Sequence, residues 1–333
     1  MFNKLYVKTK KFIKENFVFL IVLTLIYLTL TFPLPYYIYN GGGILSLEDR
    51  IEIEDKELKQ DINLSYVNQL KGNVGTYLLS YIMPHWDKEK IEVPEYDYEE
   101  ELYRNKIMLE ESINNATINA YKEAGKDYEV IGEKVLVTYI FKEAKTNLEV
   151  GDQIIKVNDM IIHNADEFME IINSSEIGDK INIEVMSKEE KQTKTAEIVD
   201  YKEEKKTAIG ILTNYILETD PEVEIKFKAN EAGPSGGLML TVGIYDKLTN
   251  SKLSDNRKIC GTGTIDKDGN VGEIGGVKYK LQGAVKNKCD IFIAPSDNYE
   301  EVLKEIEKNN YKIKTYEAKT FKETLEYLKS TKK

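Results

Sequence analysis

A serine surrounded by glycines is the feature of the chain best suited to chemistry. It lies in the run Gly233-Pro234-Ser235-Gly236-Gly237, and the apolar residues that follow predict a helix that begins at the serine. A nucleophile at a helix N-terminus has N–H groups beside it that can stabilise the oxyanion of a tetrahedral intermediate. Gly233, Pro234 and Gly236 are therefore the predicted backbone positions for the oxyanion or substrate. A serine that only caps a buried helix is the alternative.

The second candidate is a lysine at the end of the run Gly272-Glu273-Ile274-Gly275-Gly276-Val277-Lys278. Lys278 follows Ser235 by 43 residues. A lysine amine can take the proton of a serine when burial lowers its pKa toward roughly 7–8. Taken alone, Lys278 could equally be a solvated surface residue, so the interpretation depends on the pair.

The composition argues against several other kinds of site. His85 and His163 are the only histidines and lie in no recognisable catalytic setting, which disfavours a Ser-His-Asp mechanism. With Cys260 and Cys289 as the only cysteines, no metal-ligand cluster is expected. A Cys260–Cys289 bridge is possible, but two free thiols are the favoured expectation. No GxxxxGK[ST] motif occurs, so neither a P-loop ATPase nor a cofactor is predicted.

An uncharged stretch near the N-terminus predicts a membrane anchor. No charged residue lies between Glu15 and Glu48, and 17 of the 22 residues from Phe17 to Ile38 are apolar. A helix of that length crosses a hydrocarbon core of about 30 Å. Bulky residues follow where a cleaved signal peptide needs small ones. Five lysines between Met1 and Glu15 predict a cytoplasmic N-terminus and a catalytic body outside the cytoplasmic membrane.

Charge and length limit the rest of the molecule. The net charge is −11 although the segment from Met1 to Glu15 carries five lysines and one acid, so the remainder is strongly acidic. An acidic body is a poor candidate for binding nucleic acid. The 333 residues leave room for about two domains besides the anchor. Tyr36 and Tyr37 are expected at the membrane interface.

Composition and periodicity divide the chain into four parts: a lysine-rich tip and anchor at 1–35, strands and a long helix at 36–125, a compact unit at 126–200, and alternating strands and helices at 201–333. The long helix is predicted over Leu102–Ala124 and is stopped by Gly125. Cap pairs predict two further helices. The predicted elements of the last two parts are strands at Lys134–Ile140, Gln153–Val157, Ile181–Val185, Val223–Lys228, Lys258–Thr264 and Ile291–Ala294, and helices after Asn164, at Gly236–Leu248, from Lys278, at Asn298–Lys308 and after Thr320.

The compact unit resembles a PDZ domain of the type found in bacterial envelope proteases. The resemblance is carried by LEVGDQIIKVND, from Leu148 to Asp159, and by the order strand, turn, helix, strand. It implies a domain that binds extended peptides or C-termini by adding them as a strand to a sheet edge. A small αβ domain that acts only as a spacer is the alternative.

The serine and the lysine belong to a wider pattern. GPSGG, then Gly261-Thr262-Gly263, then GGxK about forty residues after the serine, is similar to the Lon proteolytic domain. Together with TFPLPYYI, ESINNATINAY and FIAPSDN, the pattern makes the whole chain resemble the membrane-anchored, PDZ-containing Lon-like serine proteases of bacteria. Relatives of that type include proteases that process secreted signalling peptides, or pheromones.

This resemblance implies an α+β fold in which a Lon-type proteolytic domain is interrupted by a PDZ domain and preceded by one N-terminal transmembrane helix. It implies Ser235 as nucleophile, Lys278 as base and Thr262 as the residue that holds the neutral amine. One position departs from the pattern, because Ala232 stands where ATP-dependent Lon proteins have an acid, and the nearest acid is Glu231. The effect of Ala232 on the tuning of the dyad stays open.

The sequence therefore predicts an ATP-independent serine endopeptidase that is anchored in the cytoplasmic membrane. It would act outside that membrane on peptides or membrane-proximal protein segments, with the PDZ domain selecting substrate and with no metal or cofactor. A homo-oligomer is possible, since Lon protease domains assemble as rings. The alternative is a non-catalytic peptide-binding scaffold with an inactive protease fold.

Overall fold

The protein is described by a computed structural model of the 333-residue chain. The structure describes residues 2–54, 59, 61–91, 98–201, 204–228, 231 and 233–332. These residues form two compact units, the smaller made of residues 1–42 and 67–94 and the larger of residues 43–66 and 95–333.

The elements of both units are numbered in chain order. The helices are α1 (Phe2–Glu15), α2 (Phe17–Thr31), α3 (Val74–Leu79), α4 (Tyr98–Ala124), α5 (Ala165–Ser174), α6 (Gly237–Thr249), α7 (Val277–Lys286), α8 (Ser296–Asn309) and α9 (Phe321–Ser330). The strands are β1 (Pro33–Ser46), β2 (Ile51–Ile53), β3 (Ile62–Asn73), β4 (Asp87–Lys90), β5 (Asp127–Ile140), β6 (Gln153–Val157), β7 (Met160–Ile161), β8 (Lys180–Ser187), β9 (Glu190–Glu197), β10 (Val199–Tyr201), β11 (Glu204–Lys206), β12 (Ile209–Asp220), β13 (Val223–Ile225), β14 (Ile259–Gly261), β15 (Thr264–Ile265), β16 (Val271–Gly272), β17 (Ile291–Pro295) and β18 (Lys314–Ala318).

In the smaller unit, the apolar stretch predicted to run from Phe17 to Ile38 is divided between a helix and a strand. Helix α2 ends at Thr31, because Pro33 disfavours helical backbone at the residue before it. Tyr36 and Tyr37 belong to β1, where they pair with β4. Within the described ranges, no single helix has both the length and the apolar composition to cross a membrane. Residues 8–15 and α2, which meet at a bend of 75°, have that length and composition only when they are taken together.

The larger unit contains a parallel sheet with the strand order β18–β17–β14–β3. Successive side chains of a strand point to opposite faces, and here both faces are apolar. Ile259, Ile291 and Ile293 join a core with residues of α4, α6 and α9, while Phe292 and Ala294 join a second core with residues of α7 and α8. Helices on both faces explain why the two central strands, β14 and β17, are buried along their whole length.

The second sheet of the larger unit has the order β12–β5–β6–β8–β9, with β7 beside β6. Helix α5 covers it, and Phe168 and Ile172 of that helix are buried in a separate core. Strand β12 pairs with β5 along its whole length, from Ile209 beside Ile140 to Asp220 beside Asp127. The sheet thus includes residues beyond position 200, the limit that the sequence predicted for this part. The start of β5, its first strand in chain order, lies beside the end of β12, its last.

Most of the predicted elements are confirmed, with boundaries that move by a few residues. The long helix begins at Tyr98 rather than Leu102 and ends, as predicted, at Ala124, followed by Gly125 with a φ of +63°. The side chains of Asn164 and Thr320 accept hydrogen bonds from the backbone N–H groups three residues later. The predicted strand over residues 258–264 is two short strands, β14 and β15, separated by a turn that contains Thr262.

The two cysteines form a disulfide, so the expectation of two free thiols is wrong. Cys260 lies on β14 and Cys289 lies in the turn after α7, with their Cα atoms 5.9 Å apart. The parallel register of β14 and β17 places Ile259 beside Ile291 and brings the end of the turn against β14. The backbone N–H of Asp290 also donates to the carbonyl of Lys258 at 2.8 Å. The disulfide therefore joins the strand before Thr262 to the end of α7.

The disulfide closes a loop between residues 29 positions apart, so its reduction should cost stability. Chain-entropy arguments give about 3 to 4 kcal/mol for a loop of this length. We expect the free energy of unfolding in urea to fall by this order when the protein is reduced. The doubly substituted Cys260→Ala/Cys289→Ala protein, whose stability should not respond to reductant, is the control. Equal stability of the oxidised and reduced wild-type protein would contradict the assignment.

Candidate active site

Ser235 lies in a tight turn that leads directly into a buried helix. Pro234 to Gly236 form a single 3-10 turn, called here the serine turn, and α6 begins at Gly237. Gly233 enters the turn with a φ of +139°, a conformation that favours glycine. A Cβ on Gly236 would lie 3.0 Å from the side chain of Leu64, so the turn packs closely on β3. The sequence correctly predicted a helix N-terminus at the serine.

The turn after β14 holds the serine turn by its backbone. The carbonyl of Ser235 accepts hydrogen bonds from the N–H of Gly263 at 2.8 Å and from the hydroxyl of Thr262 at 3.0 Å. The carbonyl of Gly263 in turn accepts from the N–H of Leu238 at 3.1 Å. Thr262 is fully buried, and its own N–H donates to the carbonyl of Ile293 on β17. The position of Ser235 is thus tied to the central sheet.

A buried lysine completes this network. Lys280, on the second turn of α7, is only 4% exposed, and its Nζ donates to the hydroxyl oxygen of Thr262 at 3.0 Å. Because the Thr262 hydroxyl gives its proton to the carbonyl of Ser235, its lone pairs are available to the amine. Burial lowers the pKa of Lys280 from 10.5 to about 8. A substantial fraction of the amine is therefore neutral slightly above neutral pH.

The contacts bring Lys280, and not the predicted Lys278, to Thr262. Lys278 is only partly buried, and its Nζ lies 4.8 Å from the centroid of the Tyr279 ring. Two residues along a helix rotate the side chain by about 200°, so the two lysines point in very different directions. Val277, Lys280, Leu281 and Ala284 are all buried at helical spacing. That apolar spacing is the sequence signal that could have identified Lys280.

The sequence analysis also missed a stripe of polar residues on α4. Ser112, Asn115 and Asn119 are spaced to share one face of the helix, and all three are buried. The hydroxyl of Ser112 donates to the carbonyl of Pro234 at 3.0 Å. The amides of Asn115 and Asn119 donate to the backbone carbonyls of Ile265 and Asp266. Helix α4 therefore holds both the serine turn and the segment after Thr262.

The segment before α7 is fixed by one amide side chain. Asn298, on α8, accepts a hydrogen bond from the N–H of Ile274 at 2.9 Å and donates to the carbonyl of the same residue at 3.0 Å. Gly276 then starts the helix with a φ of +67°, and its carbonyl accepts from the N–H of Lys280. These contacts determine the direction in which α7 presents Lys280.

The remaining candidate residues lie outside this network. His163 is exposed, and its Nδ1 is 3.1 Å from a carboxylate oxygen of Glu167 at the start of α5. His85 is exposed in the smaller unit. Glu231, the nearest acid to the serine, receives hydrogen bonds from the guanidinium of Arg50, one of them at 2.9 Å. Ala232 lies outside the described residues.

This arrangement has the parts that a serine-based acyl transfer needs. Ser235 is half-buried at a helix N-terminus, and an amine with a lowered pKa is held two hydrogen bonds from its backbone. Pro234 has no N–H, so of the predicted backbone positions only the glycines have an N–H to donate to an oxyanion. The network specifies the acceptor of the Lys280 amine, which is Thr262.

Comparison with known proteins identifies a family for the part of the chain that contains Ser235, Thr262 and Lys280. Residues 149–330 match the family described as the Lon protease (S16) C-terminal proteolytic domain. Two curated relatives are Lon protease 2 of Bacillus subtilis, 30% identical over 110 residues, and Lon protease of Campylobacter jejuni, 35% identical over 98 residues. These matches cover 32% and 28% of this chain but only 19% and 12% of the relatives.

Solved structures similar to part of the chain include PDZ domains of SdrC-like proteins from Listeria. The one from Listeria monocytogenes is 19% identical, and the match covers 25% of this chain and 92% of that structure, with a TM-score of 0.23. The one from Listeria innocua is 20% identical, and the match covers 23% of this chain and 92% of that structure, with a TM-score of 0.22.

The burial of Lys280 should cost stability in a way that depends on pH. Below pH 8 the amine is charged in both the folded and unfolded protein, and a pKa lowered from 10.5 to about 8 corresponds to a penalty of about 3 kcal/mol. Lys280→Met should therefore raise the free energy of unfolding at pH 7 by up to about this amount. Between pH 8 and 10.5 the unfolded wild-type chain binds more protons, so the wild-type protein gains stability and the difference shrinks.

Lys278→Met is the matched control in the same helix. The side chain of Lys278 is only partly buried, so Lys278→Met should not show the stabilisation at pH 7 that is expected of Lys280→Met. Urea unfolding at pH 7 and pH 10 measures both variants. The assignment of Lys280 as the buried amine is wrong if Lys278→Met, and not Lys280→Met, shows the stabilisation.

Proposed function

Because the chain belongs to the Lon protease (S16) C-terminal proteolytic domain family, we propose that it is a serine peptidase with Ser235 as nucleophile and Lys280 as base. One observation carries the choice of residues. The Lys280 amine is buried and bound to the Thr262 hydroxyl, which also binds the carbonyl of Ser235. The proposal keeps the nucleophile predicted from the sequence and moves the base by two residues.

In the proposed reaction, the neutral amine of Lys280 removes the proton of the Ser235 hydroxyl as its oxygen attacks the scissile carbonyl. The C–N bond of the tetrahedral intermediate then breaks, the protonated amine returns the proton to the leaving nitrogen, and an acyl-serine remains. The same amine then takes a proton from water, whose oxygen attacks the ester carbonyl. The C–O bond to Ser235 breaks, the protonated amine returns the proton to the serine oxygen, and the carboxylic acid product leaves. Backbone N–H groups of the serine turn stabilise the oxyanion in both steps.

Thr262 acts as a positioning residue in this scheme. Its hydroxyl accepts from the Lys280 amine at 3.0 Å, and both side chains are buried, so a neutral group holds the amine in place. A carboxylate in the same place would favour the charged form and raise the pKa of the lysine. A neutral hydroxyl adds no such charge, so the pKa of Lys280 stays at the value of about 8 to which burial lowers it, as a base requires near neutral pH.

The proposed reaction is independent of nucleotide. The sequence contains no GxxxxGK[ST] motif, and the proposed proton transfers need only the serine, the lysine and water. Unfolded peptides or exposed protein segments are the substrates that such a site can accept without a mechanism for unfolding proteins.

We propose in addition that the sheet formed by β5 to β12 selects substrates by strand addition. Its resemblance to a PDZ domain at LEVGDQIIKVND supports this role. Strand β12 lies at one edge of the sheet, and helix α5 lies beside it, with the N–H of Ala165 donating to the hydroxyl of Thr213. An edge strand next to a helix is where an extended peptide can add to a sheet.

The N-terminal helices support a proposed attachment to the cytoplasmic membrane, with the larger unit outside. Large apolar side chains are exposed along α2, from Phe17 to Leu30. The segment from Met1 to Glu15 carries five lysines, and a cytoplasmic location of such a segment follows the positive-inside rule. The larger unit could then reach substrates near the outer surface of the cytoplasmic membrane.

Ser235→Ala and Lys280→Met should each lower kcat/KM by about 10⁴-fold or more, because each removes one member of the proposed dyad. The two residues act as one unit, so the double variant should be no worse than either single variant. Lys280→Arg should also be inactive, since a guanidinium stays protonated. Cleavage of an unstructured peptide library by the purified full-length protein, without nucleotide and followed by mass spectrometry, measures these effects.

Lys278→Met is again the control and should retain most of the activity. Full activity of Lys280→Met together with loss in Lys278→Met would overturn the assignment of the base. A wild-type protein that binds peptides of the library but cleaves none of them would instead support the alternative function, a peptide-binding scaffold with an inactive protease fold.

A further inference from the structure

The smaller unit carries an exposed apolar segment that the proposed chemistry does not use. From Val74 to Trp86 the sequence contains no aspartate, glutamate, lysine or arginine. We call these residues the interfacial segment. It consists of helix α3 and the turns that follow, and its large side chains face outward, with exposed fractions between 43% and 78% for Leu78, Leu79, Tyr81, Ile82 and Met83. Exposed apolar side chains in such a contiguous run mark an interaction surface.

The interfacial segment is attached to the C-terminal end of the apolar helix α2. The N–H of Val74 donates to the carbonyl of Phe32 at 3.0 Å. Gly75 approaches the same end so closely that a Cβ there would lie 3.2 Å from the carbonyl oxygen of Leu30. Phe32 is itself 63% exposed. The interfacial segment therefore begins directly beside the C-terminal end of α2, where Phe32 is exposed.

Aromatic rings and a lysine border this surface. The rings of Tyr36 and Tyr77 have centroids 4.9 Å apart, and those of Tyr77 and Tyr81 are 5.6 Å apart. The amine of Lys88 lies 3.0 Å from the centroid of the Tyr81 ring and 4.5 Å from that of Tyr77. Tyrosine and tryptophan side chains concentrate where the acyl chains of a bilayer meet the headgroups, and lysine side chains extend from there to the phosphates.

We propose that the interfacial segment inserts into the outer leaflet of the lipid bilayer that holds α2. The inference rests on the proposed attachment of the chain through α2 and adds a second contact, made by residues outside that helix. Leu78, Leu79, Ile82 and Met83 enter the boundary between acyl chains and headgroups, while Tyr81 and Lys88 lie at headgroup level. Insertion of this kind is driven by the burial of apolar area at the interface.

The length of α2 favours lipid over a protein partner as the occupant of this surface. Its 15 residues rise only about 22 Å, against about 30 Å for a hydrocarbon core. A helix shorter than the bilayer leaves a mismatch that flanking apolar residues can relieve. The interfacial segment supplies such residues at the end of α2, on the side of the chain that leads to the larger unit.

The chain contains a built-in probe for this contact. Trp86 is its only tryptophan, and the backbone N–H of Trp86 donates to the backbone carbonyl of Met83 at 3.4 Å. The full-length protein would be reconstituted into vesicles of phosphatidylcholine and phosphatidylglycerol, with or without bromine at carbons 6 and 7 of the acyl chains. We expect brominated lipid to quench the Trp86 emission, and Ile82→Asp and Met83→Asp each to reverse most of that quenching.

Ile82 is 78% exposed, so its replacement should not disturb folding, and Leu303→Asp on α8, at a side chain 48% exposed, is the matched control. Protein that floats with the vesicles but shows no quenching, or quenching that Ile82→Asp leaves intact, overturns the proposed insertion while the attachment through α2 stands. Protein that does not float at all refutes the attachment and the insertion together. Trp86 emission that shifts with protein concentration, and not with brominated lipid, would show a second copy on this surface instead.

Discussion

The candidate active site depends on one hydrogen bond, between the buried amine of Lys280 and the hydroxyl of Thr262. The same hydroxyl donates to the backbone carbonyl of Ser235, so one small side chain links the two residues of the proposed dyad. Burial of an ammonium is unfavourable, and this is why the pKa of Lys280 falls to about 8. The burial that suits the amine to the proposed role of base therefore also makes the folded protein less stable.

The surrounding structure holds the buried amine of Lys280 in place despite the cost of its burial. Strand β14 brings Thr262 to its position, α7 brings Lys280, and the disulfide between Cys260 and Cys289 ties the strand to the end of the helix. From the other side of the sheet, Ser112 of α4 binds the carbonyl of Pro234. Active sites commonly trade stability for function, and the surrounding packing keeps the unfavourable arrangement in place.

The sequence predicted well those features that depend on local periodicity. The long helix, the helix after Ser235, the caps at Asn164 and Thr320 and most strand centres follow from apolar spacing and cap residues. Thr262 was found through the resemblance. Lys278 was chosen as the lysine of the GGxK motif about forty residues after the serine, whereas the direction of a lysine on a helix depends on the face that packs against the sheet. Lys278 and Lys280 are two residues apart, so their side chains lie on different faces of α7.

Other errors arose from contacts between distant parts of the chain. Strand β12 pairs with β5, although β12 begins at Ile209 and β5 begins at Asp127. A local sequence pattern does not indicate that segments so far apart in the chain will pair. The disulfide depends on the register of β14 against β17. The polar stripe of Ser112, Asn115 and Asn119 is visible in the sequence, but its meaning appears only when the backbone carbonyls that it binds are known.

The central claim is that Lys280 activates Ser235, and the most direct test is the rate at which a fluorophosphonate reagent modifies the serine at different pH values. The serine oxygen attacks phosphorus and fluoride leaves, so the rate reports the reactivity of the hydroxyl without any need for a known substrate. The account predicts that mass spectrometry finds the adduct on Ser235. It also predicts that the rate of modification rises with pH and levels off above about pH 8, where the Lys280 amine is mostly neutral. Lys278→Met should leave this pH profile unchanged. A rate that shows the same pH profile in Lys280→Met as in the wild-type protein would contradict it.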